Sequence, residues 1–297
     1  MSRRYPDWER EGKGWPNRET SRFVEADGYR WHVQEMDSEE ANASVCLLIH
    51  GTGAATHSWR DVMPILAQHY RVIAMDLPGH GFTRPNHARR VSLPQMARSL
   101  GILLDELGAR PDVIVGHSAG AAVSLQLCLE RDWQMPVIGL NPALLPFPGL
   151  AAKLFPALAK MLFTNPFVPT IFARMARSHA AVERFLEKST GSNIERAGID
   201  YYHRLFARPG HCDGAIRMMA SWRLEDLEKR LGEVAAPVML LHASKDTAIP
   251  RHTVESAAKL IPGCTFEEMR GAGHLAHEEQ PEQIATMISA FAEKART

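Results

Sequence analysis

The chain has 297 residues, 45% of them apolar and 23% charged. That composition is ordinary for a soluble globular protein, and the length is ample for one large core. Lys+Arg and Asp+Glu balance at 34 each, so no global field draws the chain to nucleic acid or an anionic surface, and only a local basic patch could do so. Cys46, Cys128, Cys212 and Cys264 form no Cys-x-x-Cys pair. They read as thiols in a reducing compartment, with those at 46 and 128 buried in apolar elements.

The opening "MSRRYPDWEREGKGWPNR" is charged and lacks the apolar stretch of a secretory signal. No run reaches the roughly 18–20 apolar residues of a spanning helix. The cytoplasm is the expected location. To about Asn17 the chain reads as an irregular arm. "SRFVEA" and "YRWHVQEM" then alternate around Asp27-Gly28, a two-residue hairpin signal. "SVCLLIH" (44–50) is continuously apolar, as in a strand covered on both faces. A glycine loop and a helical segment, "SWRDVMPILAQ", follow. "YRVIAMD" (70–76) is another buried strand. "SLPQMARSLGILLDELG" is an amphipathic helix with Ser92 as N-cap, Pro94 in the first turn and Gly108 near its end. "DVIVG", "AGAAVSLQLCLE" and "MPVIGLN" continue as strand, helix and strand.

From about Pro142 to Gly232 no strand pattern is evident; the segments are helical, rich in Leu, Phe, Met and Ala and punctuated by prolines. Alternation then resumes: strand "PVMLLHA", helix "HTVESAAKLI", strand "TFEEMR" and a closing helix over about 282–294. This order predicts an α/β fold with a mostly parallel central sheet, an N-terminal β-hairpin and a helical lid inserted between strands. Residues 1–141 and 233–297 form the core, and 142–232 the lid. Ligands in such sheets bind at the carboxyl ends of the strands.

The chemistry concentrates in loops at those ends. Gly116-His117-Ser118-Ala119-Gly120 fits G-x-S-x-G between a strand and a helix, the turn that holds a nucleophilic serine in a strained conformation between small neighbours. The serine needs a base, and the base an orienting acid, in the chain order Ser, Asp, His. Asn141, after "MPVIGL", cannot be an anionic orienter. Asp246, in the loop after "PVMLLHA", can. His274, presented by Gly271 and Gly273 in "GAGHLAHEEQP", is the expected base, and His277, three residues on, is its rival, read as a structural or surface group. His117 is given a packing or hydrogen-bonding role. The developing oxyanion needs N–H donors. Ala119 supplies one, and the loop His50-Gly51-Thr52-Gly53-Ala54 the other, from Thr52 or, second, Gly53. No HExxH, no phosphate loop and no dinucleotide glycine motif is present, so neither a metal nor a cofactor is expected.

"LLIHGTGAATHSW", "MDLPGHGFT", "VGHSAGAA", "SKDTAIP" and "GAGHLAHEEQP" fall in the order of the α/β-hydrolase fold superfamily, which the chain resembles over nearly its whole length. "GWPNRETSRFVEADGYRWHVQEM", "NPALLPFPGLAAKLFPALAKMLFTNPFVP" and "GHLAHEEQP" further resemble the magnesium chelatase accessory proteins of bacteriochlorophyll biosynthesis. The resemblance implies a serine hydrolase scaffold with the triad Ser118, Asp246 and His274. It also implies a role near magnesium insertion into protoporphyrin in a photosynthetic bacterium, with chelatase subunits as partners. Two readings follow. One is hydrolysis of an apolar ester or acyl substrate; the other is non-hydrolytic binding of a tetrapyrrole on the same fold. The lid, apolar with Lys153, Lys160, Arg174 and Arg177, reads first as a cap over the core and second as a contact for a membrane surface or a partner. Leu144, Leu145, Phe147, Leu150 and Leu275 are candidates to line the pocket.

Overall fold

The computed structural model describes residues 4–40, 42–85, 91–146 and 167–295. Its centre is a nine-stranded sheet ordered β1-β2-β4-β3-β6-β7-β8-β9, with the two-residue β5 paired to β2. The hairpin is β1 (Ser21–Ala26) and β2 (Tyr29–Met36). Asp27 and Gly28 sit at φ of 44° and 68° between them, as a primed two-residue turn requires. β2 runs antiparallel to β4 (Tyr70–Met75) and carries β5 (Arg84–Pro85), a pairing too short for any sequence pattern to mark. From there the sheet is parallel through β3 (Ser44–Ile49), β6 (Val113–His117), β7 (Val137–Leu140), β8 (Val238–Ala243) and β9 (Thr265–Met269).

The parallel strands are apolar throughout because both faces are covered. Along β3, Leu47 and Ile49 enter one core layer, with Met96, Leu100 and Leu103 of α2 (Leu93–Glu106) and Ala122 and Leu125 of α3 (Ala119–Arg131). Cys46 and Leu48 enter the other layer, with Val62 and Leu66 of α1 (Val62–Leu66) and Ile284 and Ile288 of α11 (Pro281–Lys294). α9 (Arg251–Leu260) covers the first face beyond β8, and the short α10 (Ala276–Glu279) follows β9. The helix expected over 58–68 is shorter than its pattern. Residues Thr56–Trp59 form a 3-10 turn and α1 begins at Val62. Pro64 explains this: proline fits only the first turn of a helix.

Between β7 and β8 the described chain is wholly helical: α4 (Val168–Met175), α5 (His179–Thr190), α6 (Arg196–Phe206), α7 (Pro209–Ser221) and α8 (Glu225–Arg230). Val182, Leu186, Ile194, Ile199, Tyr202 and Phe206 form a small core of their own, closed on the sheet side by Ala54 and Leu275. Tyr202 Oη also donates to the buried Glu278 (2.8 Å), which is ion-paired with Arg60.

The amino-terminal arm, irregular in sequence, is a strap. Glu11 is ion-paired with Arg208 and Arg10, Gly210 N–H donates to the Arg4 carbonyl (2.7 Å), and Arg204 donates to the Lys13 carbonyl (2.8 Å). Trp15 is buried and its Nε1–H donates to Thr56 Oγ1 (3.1 Å). The strap therefore ties α6 and α7 to the loop after β3. No helix among the described residues is long and apolar enough to cross a membrane.

Candidate active site

β6 ends at His117, and the chain turns sharply into α3. Ser118 stands at the apex with φ 52° and ψ −116°. A positive φ on a non-glycine residue costs of order 1–3 kcal/mol and persists only where its surroundings enforce it. Here Ser118 N–H donates to the Leu140 carbonyl (2.9 Å), and its own carbonyl accepts from Ala121 and Ala143 (3.1 Å each). The turn also requires close packing: a Cβ on Gly120 would lie 2.2 Å from the Ile49 carbonyl oxygen. Ser118 is half-buried, and the N–H of Ala119 opens α3, where helix geometry leaves it without an intrahelical acceptor.

The loop after β3 passes against this turn. A Cβ on Gly51 would meet His117 Nδ1 at 2.8 Å and Ser118 Cβ at 3.0 Å, so only glycine permits the approach. Two buried histidines fix its backbone. His50 Nδ1–H donates to the Gly51 carbonyl (2.7 Å), while its Nε2 accepts Leu77 N–H (2.9 Å). His211, from α7, donates Nε2–H to the Gly53 carbonyl (3.1 Å) and accepts Gly81 N–H at Nδ1 (3.0 Å). A trans peptide points its N–H opposite its carbonyl, so Thr52 N–H faces away from His50. Among the described residues, neither Thr52 N–H nor Gly53 N–H has an acceptor. Burial pushes the His211 imidazole down to about 4 and His50 also down, so both act as neutral hydrogen-bonding struts.

Asp246 and His274 meet. His274 Nδ1 and Asp246 Oδ2 are 2.7 Å apart; the carboxylate is fully buried and the imidazole 9% exposed. Asp246 Oδ1 accepts Ala248 N–H (2.7 Å) and Ile249 N–H (2.9 Å), so the acid is anchored by its own loop. The backbone of His274 is held on three sides. Its N–H donates to the Thr190 carbonyl at the end of α5 (2.7 Å). Its carbonyl accepts Asn141 Nδ2 and His117 Nε2–H, each at 2.9 Å. Asn141 also donates to the Gly273 carbonyl (3.1 Å) and accepts Ala243 N–H at Oδ1 (2.7 Å). Asn141 thus links the ends of β7 and β8 to the loop of His274. Ser118 Oγ and His274 Nε2 are not hydrogen-bonded to each other, a spacing common in unliganded sites.

His277 is buried, its ring against Trp59 (4.5 Å) and His117 (4.4 Å), and burial drives its imidazole down to about 3. It is part of the core, not a surface group. Leu275 packs beside Ala54, Val182 and Phe206; Leu144 is buried in the layer beneath α2 and α3, and Leu145 is partly buried against it. Phe147 and Leu150 lie outside the described residues. Among the described residues, no three His, Cys, Asp or Glu side chains are grouped to hold a metal ion. The sequence reading assigned no role to His50, His211 or Thr190. It weighed Asn141 only as an acid, because a neutral side chain carries no motif.

Comparison with known proteins agrees with this architecture. The alpha/beta hydrolase family model matches residues 46–287. The chain belongs to the alpha/beta hydrolase family. It is 39% identical to the magnesium-chelatase 30 kDa subunit of Rhodobacter capsulatus, over 92% of this chain and 95% of that one. It is 26% identical to a 2-hydroxy-6-oxo-2,4-heptadienoate hydrolase of Pseudomonas putida, over 93% and 97%. An alpha/beta hydrolase fold protein from Burkholderia ambifaria superimposes with a TM-score of 0.75 at 23% identity, covering 91% and 97% of the two chains. At that identity the last likeness speaks for the fold alone.

Proposed function

We propose that this alpha/beta hydrolase is a serine hydrolase of an ester or similar acyl group, with 142–232 as its lid. The observation that carries the reading is the His274–Asp246 pair at 2.7 Å, in a loop bonded to the residue preceding Ser118. Ser118 Oγ attacks the carbonyl carbon as its proton passes to His274 Nε2. Asp246 holds the imidazole in the tautomer with Nδ1–H and offsets the charge it gains. The N–H groups of Ala119 and Thr52, with Gly53 second, receive the oxyanion, at about 3–4 kcal/mol each. Collapse expels the leaving alcohol, which takes the proton from Nε2. Water then releases the acid from Ser118 by the same steps. Leu275, beside Ala54 and Phe206, lines an apolar pocket; Leu144, Leu145 and Phe147 are the sequence's other candidates for it.

The likeness to a magnesium-chelatase subunit supports chelatase subunits as partners; the cytoplasmic setting, the place in bacteriochlorophyll biosynthesis and an apolar acyl compound or a tetrapyrrole as ligand rest on the sequence. The same likeness favours a second reading, non-hydrolytic binding of a tetrapyrrole. Pre-steady-state kinetics with p-nitrophenyl butyrate separate the two. A burst of one nitrophenol per chain, absent in Ser118→Ala, is expected of the hydrolase. No burst, together with stoichiometric protoporphyrin binding that Ser118→Ala leaves intact, assigns the pocket to binding alone.

A further inference from the structure

The described surface of the helical insertion carries an apolar patch that the proposed chemistry does not use. Phe167, Ile171 and Arg174 are spaced four and three residues apart, which sets them on one face along α4. Phe167 is 69% and Ile171 53% exposed, and Phe185 on the neighbouring α5 is 44% exposed. Patches of this kind mark contact sites on soluble proteins. Behind it, Phe172 packs edge-on against Phe185 (5.4 Å) and Phe206 (5.7 Å), and the helices line an open pocket of about 70 Å³ with apolar side chains. Phe206, one of its lining residues, lies 3.7 Å from where a Cβ on Gly53 would be. Phe206 thus borders both this pocket and the loop after β3.

The described charges of α4 and the turn after it, Arg174 and Arg177, have one sign. From Trp133 to Val182 the sequence contains no Asp or Glu, but it contains Lys153, Lys160, Arg174 and Arg177. Arg174, Arg177 and Arg184 are exposed, and among the described residues none has an ion-pair partner. On α5, Arg184 and Lys188 lie on one side of Phe185, while Glu183 and Glu187 point away from Phe185, Glu187 one turn on from Arg184. In a chain whose net charge is zero, this segregation is local.

We propose that the α4–α5 face docks on an anionic lipid bilayer, with Phe167, Ile171 and Phe185 entering the headgroup–acyl boundary and Arg174, Arg177 and Arg184 meeting the headgroups. An apolar partner surface would leave the arginines without counter-charge. A second copy in a two-fold contact would bring the same cations face to face. An anionic membrane satisfies both the apolar and the charged parts. Each arginine contributes about five-fold to partitioning at low salt.

The test is co-sedimentation of the full chain with vesicles of phosphatidylcholine, alone or mixed with phosphatidylglycerol. Binding is expected only with phosphatidylglycerol and is lost in ~1 M salt, where the screening length falls to about 3 Å. Arg174→Glu with Arg177→Glu should weaken it more than about 25-fold. Ile171→Ser should weaken it while leaving the melting temperature unchanged. No binding by wild type, or equal binding by the charge-reversed protein, overturns the proposal. So does a dimer in light scattering that Ile171→Ser dissociates, because the face then belongs to a second copy. The readout does not involve Ser118, so it stands or falls apart from the acyl chemistry.

Discussion

Among the described residues, two buried aspartate–histidine pairs have nearly equal length. His274 Nδ1 and Asp246 Oδ2 are 2.7 Å apart, and His32 Nδ1 and Asp76 Oδ2 are 2.8 Å apart. The second pair even has a serine: Ser21 Oγ lies 3.1 Å from His32 Nε2. The surroundings separate them. Ser21 sits in an extended strand, and its Oγ also accepts Gln34 Nε2–H (3.2 Å). His32 is fully buried between the rings of Trp8, Phe23 and Phe82. Asp76 accepts N–H from Thr56 and Phe82, each at 2.8 Å. Burial alone would push the Asp76 carboxyl up, but His32, His50 and the Phe82 N–H outweigh it and hold it well below the ordinary carboxylate range. This set joins the loops beneath the site. At Ser118, by contrast, the serine is in a strained turn, a helix begins one residue later, and a loop with unclaimed N–H groups lies alongside. A Ser–His–Asp distance pattern does not by itself mark a nucleophile; the turn and the donors around Ser118 are what support the proposed one.

Substitutions should split the two sets. The largest effect falls on Ser118→Ala, which should remove acyl turnover while the melting temperature holds. Asp246→Asn should lower kcat about 10⁴-fold through the wrong imidazole tautomer. If Ser118→Ala keeps turnover and Ser21→Ala loses it, the assignment is reversed. Asp76→Ala should leave the reaction rate per folded molecule nearly intact but cost about 3–5 kcal/mol in urea unfolding, as breaking a buried pair does. The His32 side of the comparison fails if Asp76→Ala melts like wild type.

A further effect is on pH dependence. His277 and His211 are neutral when folded, pushed by burial from 6.5 to about 3 and about 4. Below pH 6.5 the unfolded chain takes up protons that the folded chain refuses. Stability is therefore complete above that pH and falls as pH drops toward 4, by about 1.4 kcal/mol per pH unit for each such histidine. His277→Phe should reduce the slope by about one proton, measured by urea titrations at pH 7 and pH 5. An unchanged slope would mean His277 titrates normally. Ser21→Ala, the smallest, should shift stability by no more than about 1 kcal/mol, the worth of one hydrogen bond.

Much of this was legible beforehand for a physical reason. The parallel strands are buried on both faces, so they read as unbroken apolar runs, and Asp27-Gly28 can form little other than a tight hairpin. Ser118 was legible because its turn excludes side chains, leaving the glycine spacing around it. That His274 and Asp246 would meet was legible by their order in the chain. What stayed hidden depends on contacts between segments far apart in sequence. The strap of residues 4–17 looks irregular because its partners, Arg204, Arg208 and Thr56, lie elsewhere. Asn141 holds His274 through three different backbones, and nothing local signals that. His211 reaches Gly53 from the helical insertion, where no pattern ties it to the site.

The most direct test of the central claim is intact-mass labelling of wild type and His274→Ala with a fluorophosphonate, followed by peptide mapping. The account predicts one adduct, on Ser118, formed rapidly in wild type and greatly slowed without His274. An adduct on Ser21, or no adduct on wild type, would contradict it.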